Sequence, residues 1–249
     1  MPLSGSVVIE PRFQGIPKIA HGGYVGGFLA RELTGAEAVF RRPVPLGQPL
    51  RVDRAGGQET ALLNGEELLT TVRPAQVDLR VPPALTMEES EAASSAYPGF
   101  TRHLFPNCFT CGPARSEGDG LRVFAGPVAG REVVASPWTP DPGLAGESGE
   151  VAREYIWAAL DCPSIWALLV QEPSDSTERA VSGRMAVQQM APVRPREPHL
   201  VMAWAVGREK RTRTGGAAIL SATGKTCAIA RHTLVVTDWG IPLSPAHWR

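Results

Sequence analysis

His21-Gly22-Gly23-Tyr24-Val25-Gly26-Gly27-Phe28-Leu29-Ala30-Arg31-Glu32-Leu33 is an apolar segment studded with glycine, and Thr34-Gly35 supplies a stop after it. It reads as a helix, although each glycine costs about 1 kcal/mol of helix propensity relative to alanine. Gly22/Gly26 and Gly23/Gly27 stand four residues apart. Such a pattern needs a compensating gain, and close approach of a second backbone or of a ligand would provide it.

Working outward, the chain after this helix turns to strand-like text. Val39-Phe-Arg-Arg-Pro43-Val-Pro-Leu-Gly-Gln-Pro49-Leu50 is a strand with proline corners, and Leu62-Leu63-Asn64-Gly65-Glu66 carries a hairpin signal suited to a type I′ turn. Strands are expected over 68–72 and 75–81. The same order then recurs. Glu154 to Val170 is a second apolar helix. Arg184 to Met190 leads into a proline corner, Leu200 to Val206 is strand-like, and Thr223-Gly224-Lys225 separates 217–221 from 227–236. Leu50 and Leu200 are equivalent positions, as are Gly65 and Gly224. This is an internal repeat of helix, strand, corner, strand, turn, strand. Pro82-Pro83 and the Ala/Ser/Glu-rich stretch behind them read as a linker with a short surface helix after Thr86. The expected organisation is residues 1–83, a linker at 84–100, and residues 101–249. Loops with strands near 121–125 and 131–135, and a surface coil from Trp239 onward, complete the expectation.

With Lys+Arg 25 and Asp+Glu 25, the chain has no net field to attract nucleic acid or an anionic membrane. No apolar run approaches the ~18 residues of a membrane span, and the first ten residues lack the pattern of a signal peptide. Four cysteines in 249 residues make a poor disulfide framework, which suits reduced thiols in a cytoplasmic protein.

The residues resemble a known family at this point. His21-Gly22-Gly23 opening a helix, with Phe40-Arg41-Arg42-Pro43 behind it, looks like the helix and following strand of hot-dog thioesterase-like proteins. Trp157-Ala-Ala-Leu-Asp161-Cys-Pro-Ser164 resembles the second helix of double hot-dog acyl-CoA thioesterase-like proteins, and Cys108-Phe-Thr-Cys111-Gly112 recurs at the entry to their second half. The resemblance implies an α+β tandem hot-dog fold, each half an antiparallel sheet wrapped around a long central helix. It further implies a hydrolase acting on an acyl-CoA or acyl-carrier thioester, without cofactor or metal, commonly as a homo-oligomer. An Asp assisted by a Gln and a Ser or Thr from later strands is the family's type II arrangement. Gln188 or Gln189, with Ser182 or Thr226, are the candidates here.

Thioester hydrolysis needs an activated water and donors for the oxyanion. Asp161, buried among Trp157, Leu160 and Trp166, is the candidate base; the bland alternative is a capping role, because Pro163 follows two residues on. Gly22 and Gly23 leave helix N-terminal amides free for an oxyanion, or simply permit a tight turn. His21 could touch the thioester or orient that turn. Tyr24 and Trp157 are candidates for lining the acyl site. Arg41 and Arg42 could meet coenzyme A phosphates or remain a solvated pair, as could Arg194 and Arg196. Cys108 and Cys111 have zinc-ligand spacing with His103 nearby, but no second pair exists, so core thiols are the expectation. Cys162 lacks the companions of a nucleophile, and Cys227 reads as strand filling. The rival functions are a non-catalytic acyl binder and a hydratase. The hydratase would need a His, such as His21 or His199, within about 3.2 Å of Asp161.

Overall fold

A computed structural model describes residues 5–55, 59–244 and 248. In chain order the strands and helices are β1 (Gly5–Val8), α1 (Gly22–Leu29), β2 (Gly35–Phe40), β3 (Pro49–Ala55), β4 (Glu59–Asn64), β5 (Glu67–Pro74), α2 (Met87–Ser95), β6 (Gly126–Pro127), β7 (Val133–Trp138), α3 (Arg153–Leu169), β8 (Arg179–Gln189), β9 (His199–Glu209), β10 (Thr212–Ser221), β11 (Thr226–Thr237) and β12 (Ile241–Pro242). The strands form one antiparallel sheet in the order β1-β3-β4-β5-β2-β8-β11-β10-β9-β7-β6, with β12 beside β8. The order β1-β3-β4-β5-β2 reads inward to the β2–β8 seam just as β7-β9-β10-β11-β8 does on the other side. Each set has its helix between its first and second strands.

Side-chain parity places the core. Val134, Val201, Ala203, Ala217, Ile219, Ala228, Ala230, Met185 and Val187 all face the helices. The opposite face of β7, β9 and β10 is also apolar, with Ala135, Leu200, Met202, Trp204, Ala218 and Leu220. Leu85 and Ala93 cover it, with Leu79 and Val81 packed alongside. The Ala/Ser/Glu-rich stretch is therefore a packed cover. Its helix α2 starts where the sequence predicts, at Thr86, with Thr86 and Glu89 forming a reciprocal capping box.

Five expectations are corrected. The first helix ends at Leu29 and is eight residues long, so the first half has no long helix. Its four glycines lower helix propensity, and the chain turns once it has passed α3. The hairpin loop is Gly65-Glu66, with positive φ at Gly65 alone (59°), so Gly occupies the first central position as in type II′ rather than type I′. Residues 75–81 form no strand: Pro74 ends β5, and Val77 packs instead against Ala186 and Ile229 on the sheet's outer face. Residues 121–125 are irregular, and pairing begins only at Gly126. The tail is not all surface coil, since Ile241–Pro242 pair with β8 and Trp248 is buried; residues 245–247 and 249 lie outside the described residues.

Candidate functional site

The site begins with helix packing. A Cβ on Gly23 would stand 2.7 Å from the Trp157 carbonyl and 2.8 Å from Asp161 Cβ, and one on Gly27 2.6 Å from the Arg153 carbonyl. Only glycine lets α1 lie on the backbone of α3 at this separation. That contact brings the start of α1 to the middle of α3, where the Gly23 N–H donates to Asp161 Oδ2 at 2.6 Å. Asp161 is interior to a helix of 17 residues. The capping alternative is thereby overturned, because helical turns on both sides of Pro163 are held by tertiary packing.

His21 caps α1, its Nδ1 lying 3.4 Å from the Tyr24 amide and 3.5 Å from Asp161 Oδ2. From the sheet side, His232 on β11 brings Nδ1 to 3.4 Å from Asp161 Oδ1 and 2.9 Å from Ser164 Oγ. Its Nε2 is 3.1 Å from Ser182 Oγ. The Ser164 hydroxyl donates to the Asp161 carbonyl at 2.6 Å, which leaves its oxygen to accept from His232. The network therefore assigns the His232 proton to Nδ1, with the Ser182 hydroxyl donating to Nε2. Burial depresses the His232 pKa below 6.5, the opposing attraction of Asp161 being smaller. Burial acts the same way on His21, but the Asp161 carboxylate and Cys108 outweigh it and the net shift is upward.

A depressed histidine binds its proton more weakly folded than unfolded. Its contribution to stability is thus complete above the unfolded value of 6.5 and lost as pH falls below it. Wild type is expected to lose more unfolding free energy than His232→Gln between pH about 7.5 and about 5.5, measured by urea denaturation. Equal losses would refute the neutral assignment.

Asp161, His21 and Gly23 thus converge, with Gly22 beside them. A Cβ on Gly22 would meet Asp161 Oδ2 at 3.5 Å and the Phe40 ring at 3.6 Å. Among the described residues nothing accepts from the Gly22 N–H. Gln188 does not join: it follows the parity of Ala186 to the outer face, where its Oε1 accepts from the Val77 N–H at 3.0 Å. Gln189 receives Arg153 at 2.9 Å, and Thr226 sits at the β10–β11 turn. Ser182 arrives because the register slips at Gly183, between Arg184↔Thr233 and Ser182↔Leu234, which returns Ser182 to the helix face.

Tyr24 and Trp157 are packing residues of the core. Tyr24 stacks on Phe13 at 4.0 Å, and the Trp157 ring fills the space above Gly26. Arg41 and Arg42 are exposed, and Arg42 pairs with Glu67 at 3.1 Å. With Phe40 and Leu68 they line a surface groove of about 500 Å³. The Phe40 ring thus stands between that groove and Gly22. His199 bonds the Glu197 carbonyl at 2.8 Å, and neither histidine near Asp161 comes within the ~3.2 Å that hydratase chemistry asks for. His232 and Ser164 were not foreseen.

All four cysteines are free. Cys162 Sγ lies 3.2 Å from His21 Nε2 and 3.6 Å from Cys108 Sγ, while Cys111 Sγ lies 3.4 Å from His103 Nε2. The neighbouring thiols of Cys111 and Cys162 hold Cys108 well below the usual thiol range, whereas Cys108 and burial push Cys162 up. A protonated, buried Cys162 is a poor nucleophile.

No family model and no curated protein matches the sequence. Solved structures do. A candidate thioesterase from Novosphingobium aromaticivorans superposes with a TM-score of 0.59 at 11% identity, over 95% of this chain and 99% of that one. A protein of unknown function from Alicyclobacillus acidocaldarius, described as having a hot dog fold, gives 0.58 at 10% identity over 94% and 93%. The chain has the hot-dog fold. The tesB protein of Mycobacterium avium subs paratuberculosis shares it, with a TM-score of 0.56 at 12% identity over 90% and 91%. Within this hot-dog fold the Asp161 cluster occupies the crossing of the two core helices. No helix among the described residues is long and apolar enough to cross a membrane.

Proposed function

We propose that the chain is an acyl-CoA thioesterase-like hydrolase built as two hot-dog modules, 1–83 and 101–249, joined by 84–100. One site forms where α1 meets α3. The observation that carries this reading is the Asp161 carboxylate held against the amides of a helix N-terminus, at 2.6 Å from Gly23 N. The likeness in fold to thioesterase-named proteins over nearly the full length supports it.

Asp161 takes a proton from water, whose oxygen adds to the thioester carbonyl carbon. The Gly22 N–H receives the oxyanion, and collapse expels the thiolate, which recovers the proton from Asp161. His232, itself fixed by Ser164 and Ser182, orients the far oxygen of the carboxylate. The carrier's phosphates lie along Arg41 and Arg42, with the thioester passing Phe40.

The test is thiol release from short, medium, long and aromatic acyl-CoAs. Turnover is expected; acyl-CoA-dependent thermal stabilisation without turnover would leave a binding protein. Arg41→Ala should raise KM roughly tenfold with kcat unchanged, since a hydrogen bond to a charged group is worth about 1.5 kcal/mol. Arg42→Ala should do less, because Glu67 already engages that guanidinium.

A further inference from the structure

The residues between Thr101 and Ala125 form no helix or strand, yet Cys108, Phe109, Thr110 and Cys111 are all buried at their centre. A connection this long without secondary structure is uncommon in a compact domain unless it serves a function or is pinned. Backbone bonds hold parts of it: Phe109 N–H to Gln14, Leu121 N–H to Phe109 and Val123 N–H to Thr110. Its sharpest feature is the Cys108-Phe-Thr-Cys111-Gly112 turn, where the Gly112 N–H donates to the Cys108 carbonyl at 3.0 Å. A Cβ on Gly112 would stand 2.6 Å from that same oxygen. The glycine after the second cysteine therefore folds the chain tightly around the pair.

The pair does not point into plain core. His21 Nε2, Cys108 Sγ and Cys162 Sγ, from α1's cap, this loop and α3, lie within 4.8 Å of one another, and all three residues are buried. Cys111, three residues on in the same turn, is buried as well, its Sγ 3.4 Å from His103 Nε2. Zn–S bonds of about 2.3 Å and a Zn–N bond of about 2.0 Å, set tetrahedrally, separate sulfurs by about 3.7 Å and nitrogen from sulfur by about 3.5 Å. The observed Cys108–Cys162 and His21–Cys162 separations are 3.6 Å and 3.2 Å. Apolar packing alone gives no reason to gather two thiols from two elements around one ring nitrogen. The other nitrogen of His21 lies 3.5 Å from Asp161 Oδ2, where a proton moved to Nδ1 by metal binding at Nε2 would meet the carboxylate.

We propose that Cys108, Cys162 and His21 Nε2, with Cys111 of the same turn swinging in as the fourth ligand, form a closed, four-coordinate zinc site that ties the 101–125 loop to both core helices. His103, at 3.4 Å from Cys111 Sγ, supports that ligand from outside. The cysteine pair thus finds its remaining ligands far along the chain rather than in a second pair or in His103. With all four positions filled by protein, the metal is structural and opens no coordination position to substrate. The site stands whether or not the chain hydrolyses thioesters.

The test is elemental analysis of full-length protein purified without chelator, followed by cobalt(II) titration of the reduced, zinc-stripped chain. About one zinc per chain is expected, together with intense thiolate-to-cobalt absorption near 300–400 nm and tetrahedral bands near 600–750 nm. Cys108→Ser and Cys162→Ser should each weaken cobalt binding at least ~100-fold, and Cys227→Ser should leave it unchanged. Should the serine variants fail to fold, the wild-type cobalt spectrum still decides. Four free thiols, no bound zinc and no cobalt spectrum from folded protein would overturn the proposal. So would a Cys108–Cys162 disulfide in protein purified anaerobically.

Discussion

Asp161→Asn is expected to lower kcat/KM for acyl-CoA hydrolysis by about 10²–10⁴-fold, the usual contribution of a positioned general base. In barrier terms this is about 3–5 kcal/mol. Asparagine is nearly isosteric, and its oxygen can still accept from the Gly23 N–H that now bonds Oδ2 at 2.6 Å. The crossing of α1 on α3 should therefore survive, and circular dichroism of the variant should match wild type. What disappears is the charge that holds the His21 imidazole upward and the lone pair that takes a proton from water. A binding protein responds differently: affinity for a non-hydrolysable acyl-CoA analogue persists and there is no turnover to lose. Wild-type turnover that survives the substitution within a factor of about three would remove Asp161 from the chemistry.

The second large effect is on stability. Gly27→Ala should destabilise the chain by up to about 2 kcal/mol, because overpacking costs about 1–3 kcal/mol and alanine returns about 1 kcal/mol of helix propensity. The clash is with backbone, the new Cβ lying 2.6 Å from both the Arg153 carbonyl and Glu154 Cα, so no side chain can swing aside. At this chain length Tm should fall by up to roughly 8 °C. Gly22→Ala is the matched control. Its Cβ would find Asp161 Oδ2 at 3.5 Å and the Phe40 ring at 3.6 Å, ordinary contact distances. Tm should then hold or rise slightly. If both variants melt together with wild type, the close approach of the helices is not what the glycines serve.

These two glycines show how much could be read beforehand. Their spacing announced a second backbone, and Gly23 and Gly27 meet one at α3. Leu50 and Leu200, matched in the sequence, take the second place in β3 and β9. Asp161 stood out as an acid in an apolar helix. His232 did not, since one histidine in an alternating apolar strand looks like any buried residue until β11 is laid under α3. Gln188 was misplaced for a reason of parity. Counting along β8 cannot reveal the slip at Gly183 that turns Ser182 toward the helix while Gln188 stays outside. The length of α1 failed differently: local propensity continues through Leu33, but the helix stops at Leu29 after its packed turns.

The unequal helices bear on how the protein can diversify. At Gly23, Gly26 and Gly27 the added methyl would run into Trp157, Ala158 or Arg153, so α1 has almost no room to vary. The far wall is less constrained: Phe40, Arg41 and Arg42 lie at the surface end, half-buried or exposed. Under the proposed function, adaptation to a new carrier would then be written in β2 and its corner, with α1 inherited as a fixed rail. A library randomised at Phe40 and its neighbours should yield many folded, altered chains, and one randomised along α1 very few.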